Sequence, residues 1–126
     1  MKTSKDSTIA ILGISNNTER YSNKAYQRLL KNGYNNLVGI TPKSINLPNI
    51  EMVSSLSEIN FPVHTLSVYL GKERLTPLTD EIMALAPKRI IFNLGTENEQ
   101  LILEAKQNGV EVIEGCTLVL LSTEQF

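Results

Sequence analysis

Six residues, Gly13-Ile14-Ser15-Asn16-Asn17-Thr18, form a small polar stretch where a phosphate-binding turn would lie, between an apolar run and a helical pattern. Backbone N–H groups in such a turn, and at the start of the helix that follows, can hold a pyrophosphate. The G-x-G-x-x-G fingerprint is not kept, because Ser15 and Thr18 stand where its second and third glycines would. Asn tolerates left-handed backbone and Ser adds a hydroxyl donor, so the turn still suits an anion. A plain polar surface turn would use the same residues. Arg20 and Lys24 lie four apart around the expected helix start. Cations there oppose the helix dipole unless an anion offsets them, which favours a ligand over two solvated side chains.

Three later segments carry the remaining candidate chemistry. Ile40-Thr41-Pro42-Lys43 stands where a NAD-binding domain would place Asp or Glu for the ribose hydroxyls. Lys43 instead suits a phosphate on the ribose, as in coenzyme A or NADP. Val68-Tyr69-Leu70-Gly71 offers an aromatic ring and open backbone that could border an adenine, or a tyrosine that is simply core. Phe92-Asn93-Leu94-Gly95-Thr96-Glu97 is a second Gly-containing turn before a helix, with Thr96 the expected N-cap. His64, behind Phe61-Pro62-Val63, is expected at the sheet edge opposite the pocket, with no acid or nucleophile paired to it. Cys116 is expected at the ligand side as a small buried thiol, although the place permits contact with a ligand thiol. No catalytic constellation emerges from these residues.

The elements that position these loops follow from apolar periodicity. Thr8 to Leu12 is a continuous apolar run ending at Gly13, the pattern of a strand buried on both faces of a parallel sheet. Tyr26, Leu29 and Leu30 mark a helix over roughly Ser22 to Lys31, stopped by Asn32-Gly33. Leu37 to Ile40 is a second strand, ended by Pro42. The connection from Lys43 to Thr65 holds a short extended piece at Met52-Val53 and a capping-box pattern at Ser55-Leu56-Ser57-Glu58, with Leu56 and Ile59 as anchors. Thr65 to Leu70 is strand three; Leu75, Leu78, Ile82 and Leu85 share one helical face, with Pro77 in the first turn and Pro87 beyond the end. Arg89 to Asn93, a helix marked by Leu101, Ile102 and Ala105, and Val110 to Ile113 complete the alternation. Such an order gives a three-layer α/β, Rossmann-like fold: a mostly parallel sheet of about five strands with helices on both faces. Ligands then bind beyond the carboxyl ends of the strands.

Composition narrows the classes. The 126 residues, 41% of them hydrophobic, fit one domain with one core. Lys plus Arg total 12 against 13 Asp plus Glu, so no global positive field favours nucleic acid. One Cys and one His exclude an internal disulfide and a Cys/His zinc cluster, and no metal site is expected. The apolar start of the chain is too brief for a signal peptide, and no run reaches the roughly 20 residues of a membrane span, so a cytoplasmic protein without membrane contact is expected.

Several blocks in order resemble the CoA-binding protein family, stand-alone Rossmann domains similar to the N-terminal domain of the succinyl-CoA synthetase alpha subunit. They are Ile11 to Asn17, Arg20 to Ala25, Thr41-Pro42-Lys43, Pro87 to Asn98 and Glu114 to Val119. The resemblance covers nearly the whole chain and implies a single CoA-binding domain over residues 1–126. It implies a coenzyme A pocket with Gly13, Ser15, Asn16 and Asn17 at the phosphates, Thr41, Pro42 and Lys43 at the nucleotide end, and Tyr69, Leu70 and Gly71 beside the adenine. Asn93 and Gly95 complete the set with Arg20 and Lys24. The synthetase has more glycine in its first loop, and a second domain with a phosphorylated histidine that this chain lacks. The resulting expectation is a module that binds coenzyme A or an acyl-CoA without chemistry of its own. The alternatives are a small NADP-dependent oxidoreductase, an acyl-CoA-processing enzyme using Cys116, or a regulatory subunit docked on a larger CoA ligase; a protein partner or homo-oligomer is left open.

Overall fold

The computed structural model describes residues 3–126. Six strands form one parallel sheet in the order β3-β2-β1-β4-β5-β6. They are β1 (Ile9–Leu12), β2 (Leu37–Ile40), β3 (Glu51–Val53), β4 (Thr65–Val68), β5 (Arg89–Phe92) and β6 (Glu111–Glu114). Every residue of β1, β2, β4 and β5 is buried, as expected of a sheet covered on both sides; the polar ones, Thr65, Ser67 and Arg89, are hydrogen-bonded. β1 lies between β2 and β4, with Ile9 opposite both Leu37 and Thr65. The chain leaves β1 in one direction for β2 and later returns to its other side for β4, so the strand order reverses at β1/β4, where a crevice is expected.

Alternation along the strands splits the core into two layers. Ala10, Leu12, Leu66, Val68, Ile90 and Phe92 pack against Leu75, Ile82, Leu101 and Ala105. These come from α2 (Lys72–Leu75), α3 (Thr79–Leu85) and α4 (Glu99–Gln107). Ile9, Ile11, Leu37 and Ile91 face the other way, onto Tyr26, Leu29 and Leu121, from α1 (Tyr21–Lys31) and α5 (Thr117–Ser122). Leu29 and Ile82 are fully enclosed, one on each layer; burying each such side chain is worth roughly 1.5–3 kcal/mol. The three-layer, Rossmann-like expectation holds.

Several details differ from the sequence expectation: β4 ends two residues early at Val68, β5 one residue early at Phe92, and α5 follows the last strand. The sheet has six strands where about five were expected, because the extended piece at Met52-Val53 pairs with β2 through Gly39 and Ile40. The helical face from Leu75 to Leu85 is not one helix: a 3-10 turn at Thr76–Leu78 separates α2 from α3. Pro77 explains the break, since it lacks an N–H and its ring crowds the carbonyl four residues earlier. The hydroxyls of Thr76 and Thr79 donate to the Lys72 and Thr76 carbonyls there, at 3.0 and 2.9 Å. The last strand also begins one residue late, at Glu111. The turn at Leu56–Glu58 forms as the sequence suggested, with Leu56 and Ile59 buried.

Candidate functional site

A cleft of about 910 Å³ opens beyond the carboxyl ends of β1, β2, β4 and β5. Gly13, Ser15, Asn16, Asn17, Arg20, Thr41, Pro42, Lys43, Tyr69, Leu70 and Asn93 all border it. Lys24, Gly71 and Gly95 do not. Lys24 turns along its helix and lays its ammonium 5.4 Å from the centre of the Tyr21 ring. Gly71 serves as the residue before α2, and Gly95 lies in the exposed turn after β5.

The loop after β1 begins with a sharp backbone reversal. Gly13 has φ of +91°, and a Cβ there would lie 2.8 Å from Leu70 Cδ2 and 3.3 Å from the Tyr69 carbonyl carbon. Only glycine suits both the conformation and the approach. Beyond it the loop is braced from within. The Ser15 N–H donates to Ser22 Oγ at 3.1 Å, the Asn17 N–H to Ser15 Oγ at 3.0 Å, and the Glu19 N–H to Asn17 Oδ1 at 2.9 Å. Asn23 Nδ2, from the buried face of α1, donates to the Ser15 carbonyl at 2.8 Å. This bracing ends at the helix. Arg20 occupies the N-cap, no side chain caps α1, and its first turn holds no acidic residue. The first N–H groups of a helix have no intrahelical acceptor, so α1 presents donors and the positive end of its dipole to the cleft, with a guanidinium beside them.

Asn93 plays a different part from the one its position suggests. Its Nδ2 donates to the Val68 carbonyl (2.9 Å) and Ser67 Oγ (3.1 Å), while its Oδ1 accepts the Thr117 N–H at 2.8 Å. Ser67 and Thr117 hydroxyls lie 2.8 Å apart. All three residues are buried, and the network ties the ends of β4 and β5 to the start of α5. Asn93 thus shapes the cleft floor with its hydrogen-bonding groups already engaged. Tyr69 packs over this cluster; burial pushes its phenol above the usual tyrosine range, while the Ser67 and Thr117 hydroxyls act in the opposite direction. It is a neutral ring at physiological pH. Cys116, the residue before α5, is half-buried and borders the cleft.

His64 lies at the other end of the sheet. Its Nδ1 is 2.8 Å from Thr65 Oγ1 and its N–H donates to the Thr8 carbonyl. Burial lowers its pKa, helped by the Arg89 and Lys88 charges and opposed by Glu111. A second groove, of about 780 Å³, also lies at that end, beside Thr8, Leu37 and Glu51. Thr96 is not the cap of α4: its hydroxyl donates to the Asn93 carbonyl at 2.7 Å, and Asn98 Oδ1 accepts the Leu101 N–H at 3.0 Å instead. No cluster of three or more His, Cys, Asp or Glu that could hold a metal is present among the described residues. None of the described helices is long and apolar enough to cross a membrane.

Sequence reasoning missed Arg74, Ser54, Ser55 and Tyr21, which also border the cleft. Arg74 lies on α2, so only the folding of that helix over the strand ends brings it there. With it, the charged residues around the cleft are Arg20, Lys43 and Arg74, with no Asp or Glu among the lining residues. In a chain with one more acid than base, that segregation gives the cleft a locally positive field. Residues 7–122 match the model of the CoA binding domain family.

The chain belongs to the CoA binding domain family. This CoA binding domain is 26% identical over 105 residues to the uncharacterized protein YneT of Bacillus subtilis (strain 168), covering 83% of this chain and 77% of that protein. A crystal structure of an uncharacterized protein shares 32% identity and a TM-score of 0.88, covering 96% of this chain and 98% of that one. The fold also recurs in the dinucleotide-forming acetyl-coenzyme A synthetase 1 of Ca. Korarchaeum cryptofilum, solved in complex with phosphate and ADP. That match has 19% identity and a TM-score of 0.71, and covers 86% of this chain and 25% of the synthetase. The CoA binding domain here therefore corresponds in fold to one part of a larger ligase.

Proposed function

We propose that the cleft binds coenzyme A or an acyl-CoA and that the domain acts as a cytosolic binding module without bond-making chemistry of its own. The observation that carries this is the charge pattern: three cations and the uncapped start of α1 converge on the cleft, and no carboxylate lines it. Membership of the CoA binding domain family supports the ligand class. The diphosphate would take the N–H groups of the first turn of α1 and those of Ile14 and Asn16, which the bonds within the loop leave unused, with Arg20 adding charge. Lys43, after β2, would add positive charge at the nucleotide end of the cleft, on the strand end where NAD-binding sites carry an acid.

Thermal melting with added ligand tests the proposal. Coenzyme A at about 100 times its dissociation constant stabilises the folded state by roughly 2.7 kcal/mol, and NADP at the same concentration gives a smaller shift. No shift at millimolar coenzyme A overturns it. One observation favours a second reading, an acyl-CoA-processing role: the half-buried Cys116 thiol borders the same cleft. Turnover of an acyl-CoA thioester that disappears in Cys116→Ser would replace the first reading with this one.

A further inference from the structure

The cleft's cations do not form one cluster. Arg20 stands at the start of α1, which packs on the Ile9/Ile11 side of the sheet through Tyr26 and Leu29. Arg74 stands on α2, whose Leu75 packs on the opposite side with Leu12 and Val68. The two guanidinium-bearing elements therefore approach the cleft from opposite layers, across the ends of β1 and β4, and Lys43 enters from a third loop after β2. A single diphosphate held at the start of α1 leaves the charge on the α2 side unmatched. On the α2 layer the cleft's lining includes Leu56, Leu70 and Leu78, all belonging to or packed against the same core layer as Leu75. That wall is apolar with one cation, suited to a flat base and an adjacent phosphate rather than to a chain of phosphates. Arg74 itself is exposed and keeps no carboxylate partner within the cleft.

We infer that Arg74 is a specificity residue that recognises a second phosphate, a monoester on the ribose and separate from the diphosphate, so that the site selects 3′-phosphorylated coenzyme A over its dephosphorylated form. The inference rests on the coenzyme A reading above and adds the phosphate that Arg74 reads. A fork of N–H donors matches the doubly charged monoester better than a hydroxyl. Loss of either the monoester or the guanidinium should therefore have the same consequence, and loss of both should cost no more than one.

Isothermal titration of coenzyme A and of 3′-dephospho-coenzyme A into the protein, Arg74→Gln and Arg20→Gln closes that cycle. The expected result is at least tenfold tighter binding of coenzyme A to the unaltered protein. Arg74→Gln should weaken coenzyme A about tenfold and leave the dephosphorylated ligand unchanged, whereas Arg20→Gln should weaken both alike. Arg74→Lys should recover part of the preference. Equal affinity of the unaltered protein for the two ligands, or equal weakening of both by Arg74→Gln, overturns the inference while leaving coenzyme A binding intact. Failure of the unaltered protein to bind either ligand removes the coenzyme A reading and this inference together. Because Arg74 is exposed, unchanged ligand-free melting of Arg74→Gln is expected and separates recognition from folding.

Discussion

Two loops in this protein leave a buried strand through a glycine at positive φ and run into a helix, and they settle the same backbone problem in opposite ways. After β5, Gly95 (φ +88°) donates its N–H to the Glu97 carboxylate at 3.0 Å, and Asn98 caps α4 at the Leu101 N–H. That turn supplies its own anion and its own cap. After β1, Gly13 (φ +91°) leads to a helix with no cap, no acid in its first turn, and Arg20 at the N-cap. Taken by itself the second arrangement costs stability: a cap is worth about 1 kcal/mol, and a cation at a helix start opposes the dipole. The turn after β5 is closed by its own carboxylate, whereas the start of α1 stays uncapped beside Arg20, where the proposed anion would sit.

The glycines give the largest expected contrast. Gly13→Ala forces a left-handed conformation on a residue with a side chain and drives its Cβ against Leu70 and Tyr69, costing about 2–5 kcal/mol. A Cβ at Gly95 meets nothing within 4 Å, so Gly95→Ala carries only the conformational cost, about 1 kcal/mol. Guanidinium unfolding of both variants measures the difference; equal losses would mean that the Gly13 approach is not tight.

The helix starts should respond with opposite signs. Asn98→Ala removes the cap of α4 and lowers stability by about 1 kcal/mol without changing coenzyme A affinity. Arg20→Asp gives α1 the cap it lacks, raising ligand-free stability by about 0.5–1 kcal/mol, and weakens coenzyme A binding more than tenfold. Melting of the free variants and titration with coenzyme A read the two signs separately. Retained affinity in Arg20→Asp would remove the start of α1 from the site.

The smallest effect lies at the far end of the sheet. His64 has a folded pKa below the ordinary 6.5, chiefly through burial. The unfolded chain therefore takes up the proton first as pH falls. The contribution of His64 is present above about pH 6.5 and is lost as pH drops through the lowered folded value. His64→Gln should flatten the stability profile below pH 6.5 and leave coenzyme A affinity unchanged, as expected of a group remote from both loops.

What the sequence revealed depended on whether one local pattern carried the information. β1, β2 and the Ile90–Phe92 part of β5 were legible because burial on both faces leaves apolar runs. β4 was less so, because the buried Thr65 and Ser67 interrupt its apolar residues, and the β1 loop followed from the rule for strand ends in parallel sheets. β3 was only hinted at, since Glu51 is exposed and Met52 and Val53 are half-buried, which leaves no alternation over three residues. The apolar Leu118–Leu121 run fits a helical turn or a strand, and only packing of Leu121 beside Phe126 and Tyr34 fixes α5. Asn98 and Thr96 are both good caps by type, and the hydroxyl of Thr96 had a nearer acceptor in Asn93. Arg74 sits on a helix broken by Pro77, so its place at the cleft is a tertiary fact. Lys24, four residues into α1's approach, illustrates the converse: correct spacing for an anion, but an ammonium held over Tyr21 instead.

A crystal structure grown with coenzyme A tests the central claim most directly. The account predicts the diphosphate oxygens accepting from the N–H groups of Ile14, Asn16 and the first turn of α1, with Arg20 alongside and the Gly95 N–H still bound to Glu97. A diphosphate seated at the Gly95 turn, or in the groove beside Thr8 and Glu51, would contradict it.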